Sequence, residues 1–488
     1  MRLKITPFFA LAVFLFPSCK DNIAELPENA VSKFVITANI DGAQTKTTVD
    51  YGNLDYASGE KSKWLSGDKV AILFFTPGTG TLVKKVVFEV STGGHIAELT
   101  PVGGGAEIAS LLGNYYDVRA VYPAGAEDGT KIFSYNLDNI FSLGDGTSAD
   151  NISEYDIMLA TLNSVLVTSD GADMSFSHKL PMLRFSIKND AATDIYVDEI
   201  RIYSTKYVNS FYESATGYFP GGANNYAIKK ESPHFEIVAD VEDGEIASGG
   251  GIKDFYMMLL ENEVSDLTDS FAIMVVYKKG LSPDVHVHEF TIPRSEAYLQ
   301  APFAGGFRYL FKLAIPNAEN MVPATVNDVE YYYNTVTKNA WMTGVVAGHP
   351  YPTLSDTGLG GDPWNVTRIF NAGNAANTSV VQFDIRPSVL CIGDNAFEGY
   401  PNLTDIYIRS LTPPLLGRDI FKGINHDITI KIYASAASAF NTVIQNKTMG
   451  WGDYTNSPGT MTEGSEIHLY GFCGLDPGCK AMIQADMY

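Results

Sequence analysis

The feature that most limits the fold of this 488-residue chain is a two-residue alternation of side chains that returns in short stretches along much of its length. Phe34, Ile36, Ala38 and Ile40 alternate with Val35, Thr37 and Asn39; Leu183, Phe185 and Ile187 alternate with Arg184, Ser186 and Lys188. Val86, Phe88 and Val90 repeat the pattern, as do Phe307, Tyr309, Phe311 and Leu313. A period of two sends successive side chains to opposite faces of a strand, so each stretch predicts a strand with one face turned to a core. Val70 to Phe75 and Phe271 to Tyr277 are short unbroken apolar runs, which predict strands covered on both faces. Ser66-Gly67-Asp68, Gly144-Asp145-Gly146 and Ser248-Gly249-Gly250-Gly251 supply turn chemistry between them. With 27 Tyr, 27 Phe and 44 Gly, the composition suits many strands joined by turns rather than long helices. At roughly 100–200 residues per domain, about three domains are expected. The economical reading is a mainly β chain: a β-sandwich over 33–175, a second over 176–316, and a C-terminal domain over 317–488 beyond the breaks at Pro316 and Pro323.

The chain carries 34 Lys and Arg against 56 Asp and Glu, a formal charge of −22, which argues against nucleic acid as a partner. At the N-terminus, Arg2 and Lys4 precede the apolar run Phe8 to Phe16, and Pro17-Ser18-Cys19 follows at once. The run is shorter than the ~20 residues of a spanning helix, so residues 1–18 read as an export signal. The surroundings of Cys19 resemble a lipobox, which makes Cys19 the lipidation site and polar residues 19–32 a tether. Loss of Arg2 and Lys4 with the signal takes the charge from −22 to −24, so acyl chains rather than surface charge would hold this body to a membrane.

In the C-terminal part, Pro387 to Tyr400 runs through Ile392-Gly393-Asp394-Asn395-Ala396-Phe397 into Leu403 and Ile406-Tyr407-Ile408. A looser copy follows in Thr412-Pro413-Pro414, Phe421-Lys422-Gly423-Ile424 and Ile430-Lys431-Ile432-Tyr433. This is solenoid grammar: apolar residues point inward, small residues take corners, and Ile-x-Ile strands stack. An amphipathic helix is expected next, capped by Ser435, with Ala436, Ala439, Phe440, Val443 and Ile444 on one face. Cys391 reads as a core thiol, whereas Cys473 and Cys479 flank the turn Gly-Leu-Asp-Pro-Gly and are a candidate disulfide. Trp341, Trp364 and Trp451 are either core residues or an aromatic platform for sugar rings. The sequence has no P-loop, no Gly-x-Ser-x-Gly, no His-Glu-x-x-His and no dinucleotide glycine pattern. His286 and His288 share a strand face without a third ligand, His178 reads as a structural histidine, and Asp145, Asp150 and Asn151 miss the spacing of a calcium loop. No catalytic residue, cofactor or metal site is predicted.

Three stretches carry a family resemblance: Trp64-Leu65-Ser66-Gly67-Asp68-Lys69-Val70, Phe176-Ser177-His178-Lys179-Leu180, and Phe303-Ala304-Gly305-Gly306-Phe307-Arg308-Tyr309. Their order and spacing resemble fimbrillin-type pilins of Bacteroides-like bacteria. The resemblance implies two transthyretin-like sandwiches, an outer-membrane lipoprotein, and assembly by strand donation into a neighbour's groove, with other fimbrial subunits as partners. Such pilins lose their first strand, here about 33–41, by cleavage after an arginine. This chain has none between Arg2 and Arg119, which leaves Lys46, Lys61 and Lys63 as candidate processing sites. The stretch of about 380–451 resembles BspA-like leucine-rich repeats, implying a small α+β repeat domain that contacts a host or bacterial surface protein or a glycan. The joint expectation is a fimbrial tip or accessory adhesin at the cell surface. The alternative is a stand-alone surface lipoprotein that binds glycan or host protein without polymerising, with exposed tryptophans as its site.

Overall fold

The computed structural model describes residues 36–40, 44–49, 64–94, 96–124, 131–136, 157–204, 211–218, 227–234, 236–241, 243–260, 270–293, 303, 307–317, 319–355, 365–370 and 376–487. Strands dominate; among these residues the α-helices are Ala106–Ala109 and Ala437–Gln445, and none is long and apolar enough to cross a membrane.

The N-terminal body is a closed barrel. Its strands run in the order Ile36–Ile40, Ile96–Pro101, Leu82–Val90, Lys69–Phe75, Tyr115–Tyr122, Met158–Leu166 and Ala172–His178, the last returning to the first. Val70, Ile72 and Phe74 point inward with Val86, Phe88, Val118 and Phe176. Ala71, Leu73 and Phe75 lie on the opposite face in a second buried cluster with Val121 and Leu159, which accounts for the unbroken apolar run. The expected sandwich over 33–175 is therefore corrected to a barrel. Closure comes from Ile36–Ile40, which pairs antiparallel with Ile96–Pro101 on one side and parallel with Ala172–His178 on the other, leaving no open edge.

The second body packs two sheets over one core. One has the order Gly251–Met258, Met182–Asn189, Phe307–Ile315, Gln44–Val49; the other runs Glu236–Asp240, Ile195–Ser204, Ser270–Lys279, Val285–Pro293. Leu183, Phe185, Phe255 and Phe311 of the first meet Val197, Ile202, Ile273 and Val275 of the second. Gln44–Val49 thus crosses from the barrel to the edge of this body, where it pairs parallel with Phe307–Ile315. A separate three-stranded sheet joins Lys131–Asn136 to Phe211–Tyr218 and Ala227–His234.

The C-terminal body winds as a parallel coil. Phe383 lies beside Ile406 and Ile406 beside Ile430; across the core, Ile369 lies beside Ile392 and Ile392 beside Leu416, so each turn takes 23 or 24 residues. The corners repeat too: Asn395 and Asp419 adopt positive φ, as do Gly399 and Gly423. Phe397 stacks on Phe421 at 5.7 Å, and Phe421 meets Phe472 at 6.1 Å, giving the core an aromatic column. Residues 321–345, where Tyr331-Tyr332-Tyr333 alone reads as strand-like in the sequence, form three antiparallel strands (Met321–Val326, Val329–Asn334, Asn339–Val345) that seal one end. Lys480–Met487 seals the other by pairing parallel with Ile428–Tyr433 and antiparallel with Glu466–Tyr470. The predicted helix is present as Ala437–Gln445 and buries Phe440, Val443 and Ile444, but Ser435 does not cap it: Ser435 sits in a preceding 3-10 turn, and the cap position is Ala436 without a side-chain bond.

Truncating Phe421 to Ala removes the middle of the aromatic column, at an expected cost of about 3–5 kcal/mol. Urea denaturation followed by Trp451 fluorescence checks this; a loss below ~1 kcal/mol contradicts the packing described.

Candidate functional site

Two places combine unusual chemistry with a structural consequence: the strand that closes the barrel, and the junction between the second body and the coil. The closing strand holds its place with Ile36 and Ala38, both fully buried, facing Leu99, Met174 and Phe176. Just beyond the undescribed stretch 50–63, Trp64 anchors the barrel mouth edge-on to Tyr122 (5.3 Å) and Phe176 (5.1 Å). One stretch of chain, 36–49, therefore supplies a strand to both bodies. Lys46 lies in Gln44–Val49; Cys19, Lys61 and Lys63 lie outside the described residues, as do Trp364, Asp145, Asp150 and Asn151.

At the junction, the outer face of the sheet containing Tyr203, Met274 and Val287 packs against Met321, Tyr332, Trp341, Phe370, Cys391 and Leu415 of the coil. Inside this apolar seam sits a buried ion pair. Arg368, fully buried, donates to the Glu236 carboxylate, itself 2% exposed. The Arg368 guanidinium lies over Tyr203 (5.2 Å), Trp341 (5.8 Å) and Phe370 (5.5 Å), while that of Arg201 lies over Phe370 at 4.2 Å and bonds Glu199 at 2.6 Å. Glu236 also accepts the Asp394 backbone N–H at 3.3 Å. A Cβ on Gly393 would stand 3.1 Å from Arg368 Nη2 and 3.2 Å from Glu236 Oε1, so the glycine of the repeat is also what lets the carboxylate approach the coil.

Around the pair, Tyr203 donates its hydroxyl to Glu289 at 2.5 Å, and Asn320 brackets Glu289 by donating to its carbonyl (2.7 Å) and accepting its N–H (3.2 Å). Burial raises the Glu289 pKa, against the pull of the Tyr203 bond and of Arg368. Tyr332 donates to the Val285 carbonyl, and Glu319 receives Lys279 and, at 2.9 Å, His286. His286 is thus a junction residue. Its strand neighbour His288 is 7% exposed and packs on Phe290 at 4.6 Å; burial lowers its pKa to about 4, with Glu319 opposing.

Two sequence expectations are corrected here. Trp341 and Trp451 are not an exposed aromatic platform: both are buried, Trp341 in the junction and Trp451 in the coil core, where its Nε1 donates to the Pro414 carbonyl at 2.8 Å. Cys473 and Cys479 are not bridged. Cys473 is buried at a positive-φ corner with its Sγ toward the Gly450 carbonyl, and Cys479 is a partly exposed free thiol. Cys391 is a buried free thiol whose pKa burial pushes well up. Sequence reading missed Glu236, Arg368 and Arg201. Their only trace was charge inside otherwise apolar strands.

A closed barrel, a second two-sheet body threaded by the same N-terminal segment and a clamped coil make up a mainly β chain; among the described residues, no cluster of three or more His, Cys, Asp or Glu is placed to hold a metal. Residues 56–328, more than half the chain, match the family model described as fimbrillin-like, and the chain belongs to that family. The match takes in all three motifs at Trp64, Phe176 and Phe303 and ends at residue 328, before the repeating turns of the coil. Among solved structures the chain is similar to a candidate cell adhesion protein of Bacteroides uniformis (16% identity, 60% of this chain and 96% of that one, TM-score 0.38). It is similar also to one of Bacteroides ovatus (14% identity, 59% and 93%, TM-score 0.37) and to a fimbrial protein of Bacteroides ovatus (11% identity, 60% and 52%, TM-score 0.25). No curated protein sequence matches it.

Replacing Glu236 with Ala strands the Arg368 charge in the seam and takes from Arg201 a carboxylate 3.8 Å away, at an expected loss of about 3–5 kcal/mol, whereas Glu236→Met with Arg368→Leu, in which Arg201 keeps Glu199, restores most of it. Equal losses in the single and double variants, measured by denaturation, contradict the pairing. For His288 the folded-state pKa lies below the ordinary 6.5, so the neutral ring stabilises the fold above about pH 6.5. That stability is lost as the pH falls from about 6.5 towards 4, by up to about 3 kcal/mol. His288→Leu is expected to flatten the stability profile in this window; an unchanged slope refutes the assignment.

Proposed function

We propose that this chain is a cell-surface fimbrial subunit of tip or accessory type, exported as an outer-membrane lipoprotein through Cys19, which receives a strand from a neighbouring subunit and presents its C-terminal leucine-rich-repeat-like coil to a host or bacterial surface ligand. The observation that carries this reading is the double pairing of Ile36–Ile40. Its removal leaves two facing strand edges with unpaired N–H and C=O groups, and the same cut frees the edge of Phe307–Ile315, a template for an incoming extended chain. The closing strand gives up little, since only Ile36 and Ala38 are its described core contacts.

A terminal rather than stalk position is supported by the far end of the fold. Lys480–Met487 is bonded on both sides within the coil, so lending it to a neighbour would break the sheet that seals the repeats. For the reading as a glycan-binding lipoprotein that stands alone, Trp341 and Trp451 are buried and do not serve as exposed contacts.

The test is proteolysis of the purified mature chain with a lysine-specific protease, followed by a synthetic peptide spanning residues 33–49. After cleavage within 46–63, the N-terminal fragment is expected to exchange for labelled peptide and to be retained through gel filtration. A chain that resists cleavage, or a nicked chain that never takes up peptide, refutes assembly by strand uptake.

A further inference from the structure

We propose that the corner cleft of the C-terminal coil is a binding site for a neutral saccharide unit. The proposal rests on the adhesin reading above and names the ligand class of its coil. Where successive turns leave the sheet after Ile385, Ile408 and Ile432, the chain passes through Arg386, Arg409 and Tyr433 at matched positions, and the three corners stack. Between them lies an open cleft of about 590 Å³ lined by Pro387, Arg409, Leu411, Thr412, Tyr433 and Ser435. Small-molecule clefts span roughly 300–1,000 Å³ and combine apolar walls with a few fixed polar groups.

The lining has that balance in a form suited to a pyranose, which offers hydroxyls around its rim and C–H groups on its faces. Leu411 is 58% exposed, although the neighbouring coil residues Leu403, Ile406, Ile408, Leu415 and Leu416 are all buried. With Pro387 and the Tyr433 ring it supplies carbon surface, and Thr412, Ser435 and Tyr433 carry hydroxyls at the lining, that of Tyr433 bonded to Arg409 and that of Thr412 to Ser410, which leaves each with one further hydrogen-bonding capacity. Ser410 stiffens the corner: its Oγ lies 3.1 Å from Thr412 Oγ1 and accepts the Thr412 N–H at 3.1 Å.

Charge decides between neutral and acidic sugars. Arg409 donates from Nε and Nη2 to the two oxygens of Asp384 at 3.0 and 2.9 Å and lies over the Tyr407 ring at 5.3 Å, so its charge is already met. An anionic ligand would gain no free counter-charge in the cleft and would approach a chain of net charge −22. The site therefore favours hexose units over sialylated or sulfated ones.

The mature full-length chain is to be titrated with neutral oligosaccharides ending in galactose, glucose, mannose or N-acetylglucosamine, and with sialylated and sulfated counterparts. At least one neutral ending is expected to bind at least 10-fold more tightly than its charged counterpart. Leu411→Asp and Ser435→Arg, both exposed positions, are expected to weaken it at least 10-fold with unchanged thermal midpoints. Absence of binding to every neutral ending, tighter binding of an acidic one, or full affinity in both variants overturns the proposal. A chain that takes up the 33–49 peptide yet binds no neutral saccharide fails only here; one that binds saccharide at the cleft yet takes up no strand refutes the assembly reading and leaves this site standing.

Discussion

The buried ion pair between Glu236 and Arg368 joins the second body to the coil inside an otherwise apolar junction. Placing two charges in an apolar seam is costly, and their mutual attraction together with the groups packed around them offsets that cost. Here Arg368 has the carboxylate and three aromatic rings around it, and Glu236 has in addition the Asp394 N–H. Separating the charges leaves each buried without its counter-charge, at a cost of about 3–5 kcal/mol. The coil backbone comes close to the pair at Gly393, where an added Cβ would stand 3.1 Å from Arg368 Nη2 and 3.2 Å from Glu236 Oε1. The coil is thereby clamped to the second body through the seam of Tyr203, Met274 and Val287 against Trp341, Phe370 and Leu415.

The N-terminal segment is held quite differently. Its first strand completes the barrel through backbone pairing and two modest apolar side chains, whereas the neighbouring Lys69–Phe75 is buried on both faces. Hydrogen bonds of this kind are exchangeable with any extended chain, because they do not depend on side-chain identity. The fold thus holds two places by different means: a charged clamp between the second body and the coil, and backbone pairing on both sides of the first strand.

Much of this was readable from local pattern. The alternating segments at Val86, Leu183 and Phe307 became strands, the unbroken run at Val70 became one buried on both faces, and Ile392-Gly393-Asp394-Asn395-Ala396-Phe397 became a corner of a coil repeating every 23 or 24 residues. What was not readable depends on contacts remote in sequence. Barrel closure rests on Ile36 pairing with Ala172, and periodicity is indifferent to whether a sheet stays open or closes. The junction pairs Glu236 with Arg368 across two bodies, with no signal at either position beyond an unexpected charge. Trp341 and Trp451 illustrate the same limit, since a tryptophan in an irregular stretch reads alike as core or surface, and only the packing of Tyr203, Phe440 and Phe472 around them decided. The turn between Cys473 and Cys479 has the composition for a bridge, but the left-handed backbone at Cys473 turns its sulfur toward Gly450.

Native-state hydrogen exchange of the intact mature chain reads the clamp and the barrel-closing strand together. Amides of Glu236–Asp240, Asn365–Ile369 and Cys391–Ile392 are expected to exchange in one cooperative step with those of Ile428–Tyr433, while Ile36–Ile40 opens earlier and alone. Independent exchange of the coil and the second body, or protection of Ile36–Ile40 as lasting as that of Lys69–Phe75, would contradict this expectation.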